Sequence, residues 1–204
     1  MKNFSQKSRE AYNKKAADYD NTHDGKVTHK FKQLLNAELD LDGVSCVLDV
    51  GCGNGTMLKI LHDRKNNISG FGVDVSEKMI QYAAASNPGM EFYVAECHAM
   101  PFGNATMDII IVCAAYHHFP DVAAFATEAA RILKPKGKLM IAELYLPPLL
   151  KSVANIVLPF SKAGDHAIYS PQEITDNLEA HGFNNVNAKI YGRIQIVSAQ
   201  RVTA

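Results

Sequence analysis

The chain has no excess of charge. Its 21 Lys and Arg balance 21 Asp and Glu, for a formal net charge of zero over 204 residues. Nothing overall therefore steers it toward DNA, RNA or an anionic membrane. The one mildly basic stretch, Lys2, Lys7, Arg9, Lys14 and Lys15, reads as a solvated helix face. Long apolar runs are absent too, none reaching the length of a membrane-spanning helix. Cysteine is scarce: Cys46, Cys52, Cys97 and Cys113 show neither CxxC spacing nor a paired His-Cys cluster. They lie in or beside apolar runs, where free cysteine behaves as a small hydrophobe. No secretory leader pattern opens the chain, so a reducing cytoplasm is expected. His23, His29, His62 and His181 have no ligand-like spacing, and Asp18-Tyr19-Asp20 reads as a turn rather than a cation site. No metal is expected.

What is present is an alternation of periods. The first forty residues read as two helices, with Tyr12, Ala16 and Tyr19 on one face and Val27, Phe31, Leu34 and Leu35 on another. Strands and helices then alternate. "SCVLDV", "ISGFGVDV", "MEFYVAE", "MDIIIVCA" and "KLMIAEL" are strand candidates, and the helices between them place Met57, Ile60 and Leu61, then Met79, Ile80, Ala83 and Ala84, then Val122, Phe125, Ala126, Ala129, Ile132 and Leu133 inward. Ser76 caps the second of these, and Pro135 with Gly137 stops the third. Ser170, Pro171 and Glu173 open a last helix as a capping box, Gly182 closes it, and two strand-like runs around Tyr191-Gly192 finish the chain. The pattern predicts one α/β domain over 1–204: a doubly wound, mostly parallel seven-stranded sheet. Residues 1–40 would form a helical cover, 41–143 the core, 144–170 a lid and 171–204 a terminal helix and strand pair.

"VLDVGCGNG", Val47 to Gly55, follows the first strand and opens a helix. Glycine there permits positive φ and lets backbone lie against a ligand; a tight strand-to-helix turn is the plain alternative. Asp74 ends the second strand, where an acid can accept from ribose hydroxyls. Glu96 ends the third strand on the same edge. The dinucleotide fingerprint needs a third glycine where this chain has Thr56, and Asp49 at the loop entrance suits a cation better than a pyrophosphate. The pattern fits a nucleoside without phosphates, such as S-adenosyl-L-methionine.

Together with "YNKKAADYD", "GFGVDVSEKMI", "AECHAMPF", "MDIIIVCAAYHHFPD" and "ARILKPKGKLMIAE", the loop resembles the ordered motifs of class I S-adenosylmethionine-dependent methyltransferases. The similarity is strongest to the small-molecule branch that includes the ubiquinone and menaquinone methyltransferases. This resemblance implies that Asp49, Gly51, Gly53 and Gly55 cradle the methionine end, with Cys52 and Asn54 contributing backbone. It places Asp74 on the ribose diol and Val75 on the adenine face. Glu96, which stands where the family usually has Asp, meets the adenine edge with the backbone of Cys97; His98 lies beside it. Cys113 lies near the methionine, and Tyr19 closes over the cofactor.

Methyl transfer from a sulfonium is an in-line displacement helped by positioning and exclusion of water. A hydroxyl or carbon-acid acceptor also needs a base. Tyr116, His117 and His118 follow the fourth strand, with His117 nearest its end; capping or packing is their alternative role. The apolar stretch "LYLPPLLKSVANIVLPF" reads as a lid over the acceptor or as a packed helix, without the basic face of a membrane-surface helix. His166 and Tyr169 at its far end, and Glu143, are further acceptor contacts. The expected protein is a cytoplasmic methyltransferase for a small-molecule acceptor, with no nucleic-acid partner, no stable membrane insertion and a homodimer left open. An NAD(P)-dependent oxidoreductase and a non-catalytic S-adenosylmethionine-binding module are the competing functions. Methylation of nucleic-acid amino groups is opposed by "CAAYHH", which stands in place of an Asn-Pro-Pro-Tyr type of stretch.

Overall fold

Residues 4–203 are described in the computed structural model, and their strands form one sheet. The strands are β1 (Cys46–Val50), β2 (Ser69–Asp74), β3 (Glu91–Val94), β4 (Met107–Cys113), β5 (Leu133–Leu144), β6 (Phe183–Tyr191) and β7 (Ile194–Arg201), in the order β3-β2-β1-β4-β5-β7-β6. The first five run parallel, and β7 is antiparallel to both β5 and β6. Winding reverses between β1 and β4, so a crevice opens at their carboxyl ends, the usual ligand position in such sheets.

The helices are α1 (Phe4–Lys15), α2 (His23–Glu38), α3 (Thr56–Arg64), α4 (Glu77–Ser86), α5 (Val122–Ile132), α6 (Pro148–Val157) and α7 (Pro171–Ala180). Central strands are apolar on both faces because each face is covered. Val47, Ile109 and Ile111 join Leu35 of α2 and Leu61 of α3 on one side. Their neighbours Leu48 and Ile110 join Phe125 of α5 and Ile174 of α7 on the other. Ser76 caps α4 by accepting from the Met79 N–H at 3.1 Å, and Ser170 with Glu173 forms the capping box of α7.

Four details differ from the sequence reading. The first helix breaks at Lys15, and Ala16–Asn21 continues as a 3₁₀ turn with Asp18 off the helical path. The buried face of α2 is rotated toward Lys32, so Val27 falls off its edge and is 45% exposed. Helix α5 ends at Ile132 rather than at Pro135, since the residue before a proline is kept from helical geometry and the chain is already extended at Leu133. Ala84 also faces outward on α4. Lys2 lies outside the described residues; Arg9 pairs with Glu77, and Lys15 with Asp24 at 2.6 Å. No helix among the described residues is long and apolar enough to cross a membrane.

Candidate functional site

The glycine loop turns because three of its residues are left-handed: Gly51, Gly53 and Gly55 have φ of 75°, 53° and 79°. A Cβ on Gly51 would stand 2.5 Å from the Ala115 Cβ, so the loop packs directly on the turn after β4. A Cβ on Gly53 would meet nothing within 4 Å, which leaves that backbone facing open space. Gly55 has a different job. It caps α3, and its missing side chain admits Asn87, Ala83 and Phe92. Gly51 and Cys52 donate to the Val73 carbonyl at 2.8 and 3.0 Å, and Gly53 donates to Asp74 Oδ2 at 2.9 Å. Asp74 Oδ1 accepts from the Ser76 N–H at 2.8 Å, so one carboxylate ties the loop to the start of α4.

Above this edge lies a cleft of about 810 Å³, open at its mouth. Val50, Gly51, Cys52, Gly53 and Asn54 form its floor; Asp74, Val75, Glu96 and Cys97 form one side, and Cys113 and His118 the other. Tyr19 lines it from the N-terminal cover, joined by Ser5, Ser8, Tyr12, Thr28 and Lys32. Those five were not foreseen. They come from helices whose inward residues are polar precisely where they face the cleft instead of the core. The Ser5 hydroxyl donates to Glu96 Oε2 at 2.8 Å, so Glu96 is held by α1.

Asp49 lies beneath the floor, 1% exposed, with Oδ1 unpartnered. Burial raises its pKa to about 7, opposed by Lys32 and assisted by Asp74. Asp74 is raised mainly by burial, against the backbone donors of Ser76, Gly53 and Val75. Burial also pushes the Cys52, Cys97 and Cys113 thiols up, so none is a ready nucleophile.

Residues 48–141 match the family model described as "Methyltransferase domain". This stretch, from β1 through the glycine loop into β5, is similar to methyltransferase domains. The demethylmenaquinone methyltransferase of Thermotoga maritima is 33% identical over 114 residues, 56% of this chain and 49% of that protein. The 2-methyl-6-phytyl-1,4-hydroquinone methyltransferase of Synechocystis is 35% identical over 101 residues, 48% and 31% of the two chains. The chain spans about half or less of the length of these curated relatives. Among solved structures, the fold matches a Haloferax volcanii methyltransferase solved with the Trm112 activator, with TM-score 0.78, 20% identity and coverage of 94% and 98%. It also matches a Thermotoga maritima S-adenosylmethionine-dependent methyltransferase, with TM-score 0.73, 17% identity and coverage of 95% and 99%.

Three of the expected cofactor contacts are not among the residues lining the cleft. Gly55 is structural, Asp49 is below the floor, and His98 is exposed outside the lining. Tyr116 is a correction. It is fully buried, packs on Phe119, Phe125 and Tyr169, and its hydroxyl accepts from Asn177 at 3.1 Å, so it holds α7 and does not line the cleft. Tyr116→Phe should lower stability by about 1 kcal/mol, the worth of one hydrogen bond, and leave cofactor affinity unchanged. Thermal melts and calorimetry on one preparation check both.

The two histidines separate in role. His118 lines the cleft beside Phe119 and Pro120, whereas His117 does not. His117 Nδ1 lies 2.9 Å from both oxygens of buried Glu143, whose charge raises the imidazole pKa against the lowering effect of burial. His118 Nε2 lies 3.0 Å from the Tyr12 hydroxyl, and burial beside His117 lowers its pKa to about 3. The segment after β5 reaches this cluster through Asp165, with the His166 N–H donating to the His117 carbonyl at 2.7 Å. His166 and Tyr169 meet each other at 3.3 Å and do not line the cleft. Nor does α6, which buries no residue and leaves Leu149, Val153, Ile156 and Val157 exposed, against the reading of a packed helix.

Proposed function

We propose that the cleft binds S-adenosylmethionine and that the protein methylates a small organic acceptor. The carrying observation is the union of the left-handed glycine loop with Asp74 and Glu96 at the ends of β1, β2 and β3 around one cleft. The residues present fit the cofactor. Gly53 leaves open space where a side chain would stand, and the unpartnered Asp49 Oδ1 and buried Lys32 offer opposite charges to a zwitterionic amino-acid end. When bound, the cofactor supplies a sulfonium methyl for in-line displacement. Asp74 then holds the ribose diol, Val75 packs on the adenine, and Glu96 with the Cys97 backbone meets its edge. Cys113 lies beside the methionine end and Tyr19 excludes water. Deprotonation of the acceptor centres on the His117–His118 cluster, in which Glu143 orients the His117 ring. Relatives named for demethylmenaquinone and a phytyl hydroquinone support an apolar acceptor, with the apolar segment 144–170 as its cover.

Calorimetric titration with S-adenosylhomocysteine, with NADH in parallel, tests the reading. Micromolar binding of the first and none of the second is expected. Binding of NADH alone would overturn it and restore the oxidoreductase.

A further inference from the structure

We infer that His117, His118 and Asp165 form a binding site for one divalent metal ion at the acceptor end of the cleft. Asp165 Oδ1 lies 3.5 Å from His117 Nε2 and 3.4 Å from His118 Nδ1, and one atom from each of the three residues falls within 4.8 Å of the others. Both N···O separations are beyond ordinary hydrogen bonds. These two edges are close to that of a tetrahedron with metal–ligand bonds of 2.0–2.1 Å, about 3.3 Å, and the third, between the imidazoles, is bounded at 4.8 Å.

A second observation is independent of that spacing. His118 Nδ1 is buried, on a side chain 10% exposed, with the Asp165 carboxylate at 3.4 Å and the Gly164 backbone as its polar neighbours. Burial beside His117 favours the neutral ring. A nitrogen lone pair facing the carboxylate is then resolved by a cation between them. The surrounding bonds complete the pattern. Glu143 takes His117 Nδ1, leaving Nε2 for the ion, as carboxylates do behind metal-bound histidines. Tyr12 takes His118 Nε2 and frees Nδ1. Charge points the same way, since among the described residues the ion pairs of Glu143 and Asp165 are to these histidines and to no lysine or arginine.

Two imidazoles and a carboxylate suit a borderline ion such as Zn²⁺, Co²⁺ or Fe²⁺. Three protein ligands also leave a position open, the arrangement of catalytic rather than structural sites. Because His118 lines the cleft, the group that fits the open position is a phenolic or enolic oxygen of the acceptor. On that oxygen the O–H bond breaks with its proton passing to solvent water, the freed pair forms the new C–O bond, and the S–C pair stays on sulfur. This last role rests on the methyl-transfer reading; the ion site does not.

Chelator-stripped protein is titrated with Co²⁺, read by its visible d–d absorption, and S-adenosylhomocysteine affinity is measured on the same sample. One equivalent of Co²⁺ is expected, displaced by one equivalent of Zn²⁺. Asp165→Ala should weaken Co²⁺ binding at least 100-fold and Glu143→Gln about 10- to 100-fold. The Asp165 variant should keep S-adenosylhomocysteine affinity within threefold, which certifies its fold. Absence of Co²⁺ binding in protein that binds S-adenosylhomocysteine overturns the site and leaves free imidazole as the base. Co²⁺ binding indifferent to Asp165→Ala overturns it equally, by placing the ion elsewhere. Co²⁺ binding without S-adenosylhomocysteine binding would keep the ion site and sink the methyl-transfer reading.

Discussion

Asp49→Asn is expected to make the ligand-free protein more stable while weakening its hold on S-adenosylhomocysteine. The wild-type carboxyl is 1% exposed with one oxygen unpartnered, and burial raises its pKa from 3.8 to about 7. The unfolded chain releases this proton near pH 4 and the folded chain near pH 7. Stability therefore falls as pH rises through that window and is level above it. The shift corresponds to about 4 kcal/mol. An asparagine carries no charge, but its unmet amide costs about 1–3 kcal/mol, leaving a net gain of about 1–3 kcal/mol at pH 8. For a chain of this size that is roughly 3–9 °C in melting temperature, and the gain should shrink as pH falls toward 4.

Binding moves the other way. The ammonium of the ligand needs an ionised partner, so wild-type affinity should climb by up to about tenfold per pH unit below 7 and flatten above. The asparagine variant should bind about 30-fold or more weakly, from loss of the buried negative charge beneath the glycine loop, and without that slope. Melting curves and calorimetry between pH 5 and pH 8 (a range chosen around the raised pKa) check both halves. A variant that melts lower than wild type, or that keeps the slope, would show that Asp49 does not face the ammonium.

Asp74→Ala should abolish measurable cofactor binding, a loss of about 100-fold or more. Its Oδ2 takes the Gly53 N–H at 2.9 Å and its Oδ1 the Ser76 N–H at 2.8 Å. Removing it frees the glycine loop, exposes two unmet donors and deletes the acceptor proposed for the ribose diol. Each lost charged bond is worth about 1.5–3 kcal/mol. Asp74→Asn separates these effects: it keeps the side-chain shape and one acceptor, so a loss of about 10- to 30-fold is expected, for one charge-assisted bond. Equal losses in the two variants would mean that the negative charge matters and the loop tether does not. Unchanged affinity in both would move the ribose elsewhere and undo the proposed cofactor orientation.

How much of this was legible without coordinates follows from what is local. Asp74, Gly51 and Gly53 could be placed because strand period, a left-handed turn and a strand-ending acid all lie within short windows. Ser76 and the Ser170–Glu173 box were legible as caps for the same reason. Gly55 carried the same signature as its neighbours, yet its glycine answers to Asn87 and Ala83, which arrive from another helix. Tyr116 sits beside His117 and His118 in the chain, but the 3₁₀ turn sends it into the core and them away from it. No spacing rule could have paired His117 and His118 with Asp165, because that partner returns from beyond β5.

The sequence by itself determined the alternating fold, the methyltransferase motifs and the loop with its acid, since each rests on periodicity or on backbone torsions confined to a few residues. Only the tertiary structure decided that Ser5, Tyr12 and Lys32 complete the cleft, that Tyr116 leaves it, and that two histidines and an aspartate converge. Such contacts join residues whose separation along the chain carries no information about their separation in space.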